Sequence, residues 1–336
     1  MSEPIDIVYC WCDGTDPNWR AARTACALRY GVQLKGEAYD ERRTQTNDDL
    51  RYSLRSLERN APWLRTVLLV LNDEATPPPW LRTDHPRLRI VRLGEFLPPE
   101  FLPCFNSVVI ERFLYRIPGL SERFLYANDD MHFNRPAAPS FFFAGDGYPI
   151  CRFTYTPIPL DGSGEMTMYR RLVLNADDLV SRKFGLRGEY AKAYHHWPQH
   201  NIDAYLKSDY AACAELFHEE LDATTCFPFR RESDVERTLF MRYALCVGHG
   251  HFRYARRGAS LNRPWFKRLL RPGFADSLEF NRGKWRQALP MLRKFKPTLF
   301  CINDTDGGYS PENSRKLQDL YRGLFPEPSS FERKDS

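Results

Sequence analysis

Phe124-Leu125-Tyr126-Ala127-Asn128-Asp129-Asp130 is the stretch on which the fold of this chain turns. Four apolar or aromatic residues run straight into an amide and two carboxylates. Such a run reads as a buried strand, and in open α/β sheets ligands collect beyond the carboxyl ends of the strands. A strand that stops in acids presents hard oxygen ligands to a metal and to a phosphorylated substrate.

Three other runs have the same form. Ile5–Trp11 leads into Cys12-Asp13-Gly14-Thr15-Asp16-Pro17, Thr66–Leu71 stops at Asn72-Asp73, and Thr298–Ile302 stops at Asn303-Asp304. Asp-Gly and Asp-Pro are also ordinary turn chemistry, so each acid alone has a bland explanation. As neighbours in one largely parallel sheet, the four strands would bring their acids to a single edge. Leu88–Leu93 alternates as a weaker strand. Asn47 suits a helix cap, with acids in the first turn and Leu50, Leu54 and Leu57 at helical spacing. Arg51 and Arg55 flank that stripe, either as solvated cations or as a phosphate clamp. Residues 106–117 read as a helix closed by Pro118-Gly119.

These elements predict an α/β fold with a mostly parallel central sheet and flanking helices. Residues 1–140 and 291–325 form its catalytic core, and 141–290 a mainly helical insert or lid. The insert holds Tyr194-His195-His196-Trp197-Pro198-Gln199-His200, with three of the eight histidines. No Glu sits between histidines four apart, so this is not a zincin helix. The alternatives are a structural histidine beside a tryptophan and a general base for a hydroxyl. Phe229-Arg230-Arg231 is likewise a surface ion pair or a bidentate phosphate contact. Residues 326–336, PEPSSFERKDS, have the composition of a disordered tail.

The 336 residues are 43% hydrophobic and 27% charged, ordinary for a globular chain, and the formal charge of +5 permits an anionic partner without demanding one. Nine cysteines without regular spacing describe neither a disulfide framework nor a zinc site, which favours a reducing compartment. Neither a leader pattern nor a bilayer-length apolar run is visible, so a cytoplasmic location is expected. Seven Arg or Lys between Phe252 and Ala275, interleaved with aromatics, suit a polyanionic acceptor or peripheral contact with the inner membrane as well as a plain solvated face. No DNA- or RNA-binding module accompanies them, and no nucleic-acid partner is expected.

In order along the chain, these motifs resemble the Stealth family of sugar-phosphate transferases. That family includes bacterial capsular polysaccharide phosphotransferases and the catalytic subunit that makes the mannose-6-phosphate tag. The resemblance rests on IDIVYCWCDGTDPNW at 5–19, then DLRYSLRSL at 49–57, Ala61-Pro62-Trp63, Pro79-Trp80-Leu81, Pro103-Cys104-Phe105-Asn106-Ser107, Ile110-Glu111, Ile117-Pro118-Gly119-Leu120 and FLYANDDM. It continues in His196-Trp197-Pro198 and Cys301-Ile302-Asn303-Asp304. Cys10, Cys12 and Cys104 depart from the family's usual residues beside the acids and bear on substrate preference.

The resemblance implies a glycosyltransferase-A-like nucleotide-sugar fold. It also implies transfer of a hexose- or N-acetylhexosamine-1-phosphate from a nucleotide sugar, a UDP-sugar by expectation, to a hydroxyl of a glycan or polysaccharide acceptor, with a nucleoside monophosphate leaving. Mg²⁺ or Mn²⁺ would be held by Asp130, Asp304 and Asn303. His196 would act as base, Arg230 as phosphate clamp, and Asp129 beside them, with His195 and His200 as rivals for the base. Trp11, Asp13, Gly14, Asp16, Arg51, Asn72, Asp73 and Asn106 would line the nucleotide-sugar pocket. Two other readings stand beside this one: a metal-dependent glycosyltransferase releasing a nucleoside diphosphate, and a non-catalytic nucleotide-sugar or polysaccharide-binding protein.

Overall fold

The computed structural model describes residues 3–35, 46–159, 166–255, 276–281, 288–303 and 311–334. Its strands are β1 (Ile5–Cys10), β2 (Val67–Leu71), β3 (Leu88–Arg92), β4 (Arg123–Ala127), β5 (Met131–Phe133), β6 (Ile150–Pro157), β7 (His196–Pro198), β8 (Asp203–Leu206), β9 (His251–Tyr254), β10 (Ser277–Asn281) and β11 (Leu299–Asn303). The helices are α1 (Pro17–Arg29), α2 (Asp49–Asn60), α3 (Ser107–Arg112), α4 (Met168–Phe184), α5 (Tyr190–Ala193), α6 (Lys207–Leu216), α7 (His218–Thr224), α8 (Thr238–Val247), α9 (Ala288–Phe295) and α10 (Pro311–Leu324).

The main sheet has the order β3-β2-β1-β4-β8, parallel except for β8. Its strands alternate between two apolar layers, as period-two side chains must. Val8, Leu68, Val70, Phe124 and Tyr126 pack on the face that carries α6 and α8. Ile7, Tyr9, Leu69, Leu125 and Ala127 pack on the face covered by Leu50, Leu54 and Leu57 of α2. Both faces of β1, β2 and β4 are therefore apolar, which explains their continuous hydrophobic runs.

Three of the four acid-tipped runs are neighbours in this sheet, so Asp13, Asp73 and Asp129 do follow strands that end at one edge. The fourth is not in it. β11 lies in a second sheet, β10-β11-β5, antiparallel to β5. A sharp turn at Asn128–Asp130 carries the chain from β4 into β5, and β5 bridges the two sheets. A short apolar run cannot tell which sheet it will join.

The predicted 106–117 helix breaks into α3 and a 3₁₀ turn over Leu114–Arg116, just before Pro118. The insert is less separate than composition suggests: β8 is an edge strand of the main sheet, and β6, β7 and β9 form a third sheet. The tail expectation fails for residues 326–334. Phe331 is fully buried in the α2-side layer, Arg82 N–H donates to its carbonyl, and Glu332 is buried. Ser330 adds bonds to Glu58, and Arg333 N–H donates to Trp80 O, so a segment that is mostly polar is docked along its length. The basic run from 256 to 275 lies outside the described residues. Among those described, no helix is long and apolar enough to cross a membrane.

Candidate active site

The site is built from the turn that ends β4. Met131 N–H donates to Asn128 O at 3.2 Å, closing a tight bend with Asp129 and Asp130 at its apex. Cys301 of β11 faces Met131 in register, and Ile302 N–H donates to Asp130 O at 3.2 Å. The same register carries Asn303, the last residue of β11, to the turn; Asp304 follows it and lies outside the described residues.

The two adjacent acids have different surroundings. Asp130 Oδ2 accepts a bond from the Cys301 thiol at 3.2 Å. Its Oδ1 is buried and has no hydrogen-bond partner among the described residues. Burial pushes this carboxyl above its ordinary range, and nearby His200 offsets part of the rise. Potential ligand atoms of Asp130, His200 and Cys301 all lie within 4.8 Å of one another. Asp129 is pushed up further, first by burial and then by the charges of Asp49 and Asp130. Asp49, in the first turn of α2, accepts from Tyr321 O–H at 2.9 Å and from Asn47 N–H at 3.0 Å.

Behind the turn lies a buried polar network. Tyr126 O–H stands 2.9 Å from both Asn128 Oδ1 and Glu111 Oε1. The Arg237 guanidinium covers the Tyr126 ring at 4.4 Å and donates to Asp203 and Glu236 at 3.0 Å each, with Glu111 at 3.6 Å. One cation among three carboxylates cannot neutralise them all. Burial raises Glu111, and it lifts Asp203 to about 6 against the pull of Arg237. The roles of Asp203 and Arg237 were not read from the sequence. The available signal was an ionisable residue set in an apolar run: Glu111 after Val108-Val109-Ile110 and Asp203 after Ile202.

The remaining predicted residues fall into three groups. At the end of β1, Trp11 is buried with its indole N–H unpartnered among the described residues. Asp13 closes a turn around half-buried Gly14 by accepting from Thr15 N–H and O–H, both at 2.7 Å. Asp16 caps α1 through Asn18 N–H and ties Thr76 N–H at 2.6 Å. Asn72 bridges the Trp19 indole and Cys104 O, while Asp73 accepts from Gly94 N–H at 3.0 Å. Asp13 and Asp16 thus make turn and capping bonds, while Asp16, Asn72 and Asp73 also tie together segments distant in sequence.

A second group gathers at the start of α3. Asn106 caps that helix through Val108 N–H and donates to Asp234 at 2.8 Å, and Arg230 donates to Ser107 Oγ at 2.5 Å. The third group has other partners. Arg51 pairs with Glu332 of the tail at 2.5 Å. His196 Nδ1 lies 2.9 Å from Thr154 O, and its ring meets the Tyr254 ring at 5.4 Å. Of the histidines at 195, 196 and 200, it is His200 that shares the Asp130 cluster. His195 instead stacks on Tyr194 beside buried Asp177.

Residues 3–31 match Stealth protein CR1, conserved region 1; 43–150 match CR2, conserved region 2; and 290–336 match CR4, conserved region 4. Together they cover more than half of the chain. An exopolysaccharide phosphotransferase of Streptomyces coelicolor is 34% identical over 99% of this chain and 53% of its own length. Exopolysaccharide phosphotransferase CpsY of Mycobacterium tuberculosis is 32% identical over 98% of this chain and 58% of its own. The chain thus spans little more than half the length of these relatives. Among solved structures, the galactosyltransferase LgtC in complex with donor and acceptor sugar analogues is similar with a TM-score of 0.42, at 10% identity over 97% of this chain and 96% of that one.

Proposed function

The chain belongs to the Stealth family, and from that premise we propose that it transfers a sugar-1-phosphate from a nucleotide sugar, a UDP-sugar, to a glycan hydroxyl in capsular or exopolysaccharide synthesis. The acceptor oxygen bonds to the phosphorus that carries the sugar. The pyrophosphate P–O bond breaks, the hydroxyl proton passes to an imidazole, and a nucleoside monophosphate leaves.

The observation that carries this reading is Asp130 Oδ1, a buried carboxylate oxygen with no hydrogen-bond partner among the described residues. Leaving such an oxygen unpaired is costly, and a divalent cation would relieve that cost. Asp130, with Asp129 and Asn303 beside it, offers oxygen ligands next to the His200 imidazole and the Cys301 thiol, and the family resemblance adds Asp304, which lies outside the described residues. Mg²⁺ or Mn²⁺ bound there supplies charge neutralisation at the pyrophosphate. The chain's own groups do the rest. The carbonyl of Thr154 can only accept, so His196 carries its proton on Nδ1 and leaves Nε2 free as a base. Arg230, at the first turn of α3, is the phosphate clamp. Trp11, Gly14 and the β1 turn form the wall for the nucleotide.

The decisive measurement is the leaving group. Incubation with a panel of nucleotide sugars, a panel of glycan acceptors and Mg²⁺ or Mn²⁺, followed by phosphorus NMR, should show a nucleoside monophosphate and a new phosphodiester, both abolished by chelation. Release of the diphosphate would make the protein a glycosyltransferase. Absence of turnover with every donor, alongside retained binding, would leave a non-catalytic binder.

A further inference from the structure

Beside His196 lies a cavity of about 520 Å³ lined by Tyr155, Phe252, Arg253, Tyr254 and Asp276, within the roughly 300–1,000 Å³ usual for ligand pockets. We propose that it seats a pyranose ring of the acceptor glycan, an assignment that rests on the glycan-acceptor reading above. Tyr155 is 59% exposed, although most of the large aromatics are buried or half-buried. It lies nearly parallel to Tyr254, with ring centroids 4.3 Å apart and 17° between planes, so the pair holds a rigid aromatic plate with one face toward solvent. Phe252 supports Tyr254 edge-on at 4.7 Å.

A pyranose has an apolar face of axial C–H groups and a rim of hydroxyls that donate and accept. The cavity offers the complement: aromatic faces flanked by one guanidinium, Arg253, and one carboxylate, Asp276. A simple anion site would not place a carboxylate in the wall.

Its position joins it to the reacting groups on two sides. The Tyr254 ring meets the His196 ring at 5.4 Å. Asp276 precedes Ser277, whose hydroxyl bonds Gln199 Oε1 at 3.2 Å, and Gln199 precedes His200 of the Asp130 cluster. Tyr254 is therefore the ring that connects a sugar held in this cavity with the imidazole that takes the hydroxyl proton.

The test uses saturation-transfer NMR on the full chain with methyl α-D-mannopyranoside, methyl β-D-glucopyranoside and methyl β-D-galactopyranoside, and UMP as the nucleotide control. At least one pyranoside should bind, with saturation strongest on its axial protons. Tyr155→Ala should weaken that binding about tenfold, Tyr155→Phe should keep it within about twofold, and neither should alter UMP binding. The inference is overturned if no pyranoside binds, if Tyr155→Ala leaves pyranoside affinity unchanged, or if UMP competes for the plate. Pyranoside binding that depends on Tyr155 in a protein that turns over no nucleotide sugar would uphold the plate and sink the transferase reading. Release of a monophosphate, with pyranosides indifferent to Tyr155, would do the reverse.

Discussion

Glu332 is buried and Asp130 is half-buried with one oxygen out of water, and the fold answers the two carboxylates in opposite ways. Burial alone would raise the Glu332 carboxyl, but bonds from Arg55, the Ser329 amide and Arg51 outweigh it and hold the pKa down to about 2. Both of its oxygens are occupied, at 2.7 Å from Arg55 Nε and 2.5 Å from Arg51 Nε. Asp130 receives one thiol, keeps one buried oxygen without a hydrogen-bond partner among the described residues, and is pushed upward by burial. Asp209 and Asp234 also keep one buried carboxylate oxygen without a hydrogen-bond partner among the described residues, but of the three only Asp130 shares a cluster with His200 and Cys301.

The largest effect that follows is at Asp130. Asp130→Asn keeps the shape and removes the charge, so turnover should fall about 10³-fold or more while the melting temperature holds or rises. A fall in melting temperature with activity retained would place Asp130 with Glu332 on the scaffold side. Glu332→Ala should do the opposite. Stripping the partner from two largely buried guanidiniums should cost about 3 kcal/mol by denaturant titration, with kcat for nucleotide release within about threefold.

The pH dependence sharpens the same contrast. Because Glu332 is depressed in the fold, its contribution is fully present above its ordinary value of 4.5 and is lost as pH falls toward about 2. Stability measured against pH should drop across that window in the native chain, and less steeply in Glu332→Gln. His132 adds a slope in the same direction over a wider range. Burial in a stack between Phe300 and Tyr321 lowers it from 6.5 to about 3, so the unfolded chain binds a proton that the fold refuses, and stability declines as pH falls between those values. His132→Phe should flatten the part of the curve between pH 6.5 and 4.5.

How much of this was legible beforehand follows from range. β1, β2 and β4 announce themselves because both of their faces are buried, and a continuous apolar run ending in Asp survives in one dimension. Asp130 was found for that reason. The tail was misread because Phe331 and Glu332 are two residues in a polar segment, and their value comes from Leu81, Arg51 and Arg55, some 250 or more positions away. Arg51 carries the same ambiguity: an arginine beside an apolar stripe looks the same whether its carboxylate comes from the tail or its phosphate from a substrate. The Glu111–Arg237–Asp203 network was invisible as a unit, since its members come from α3, the segment before α8, and β8. Asp13, Asp16 and Asp73 carry both readings at once. Their sequence context suits a ligand, yet their oxygens are engaged with nearby backbone amides.

The two histidines offer the finest division of the site. His196 is fixed by Thr154 O and touches the aromatic plate, whereas His200 belongs to the Asp130 cluster. If the first moves the proton and the second supports the cation, their substitutions separate by what they change. His196→Ala should lower kcat by about 10²-fold and leave the metal concentration needed for half-maximal rate within about twofold. His200→Ala should raise that metal requirement about tenfold and lower kcat by less than the His196 change, because a neighbouring ligand set loses affinity before it loses chemistry. A metal requirement that shifts with His196 and not with His200 exchanges the two assignments. A kcat that survives both substitutions removes the base from this loop and leaves only the cation beside Asp130.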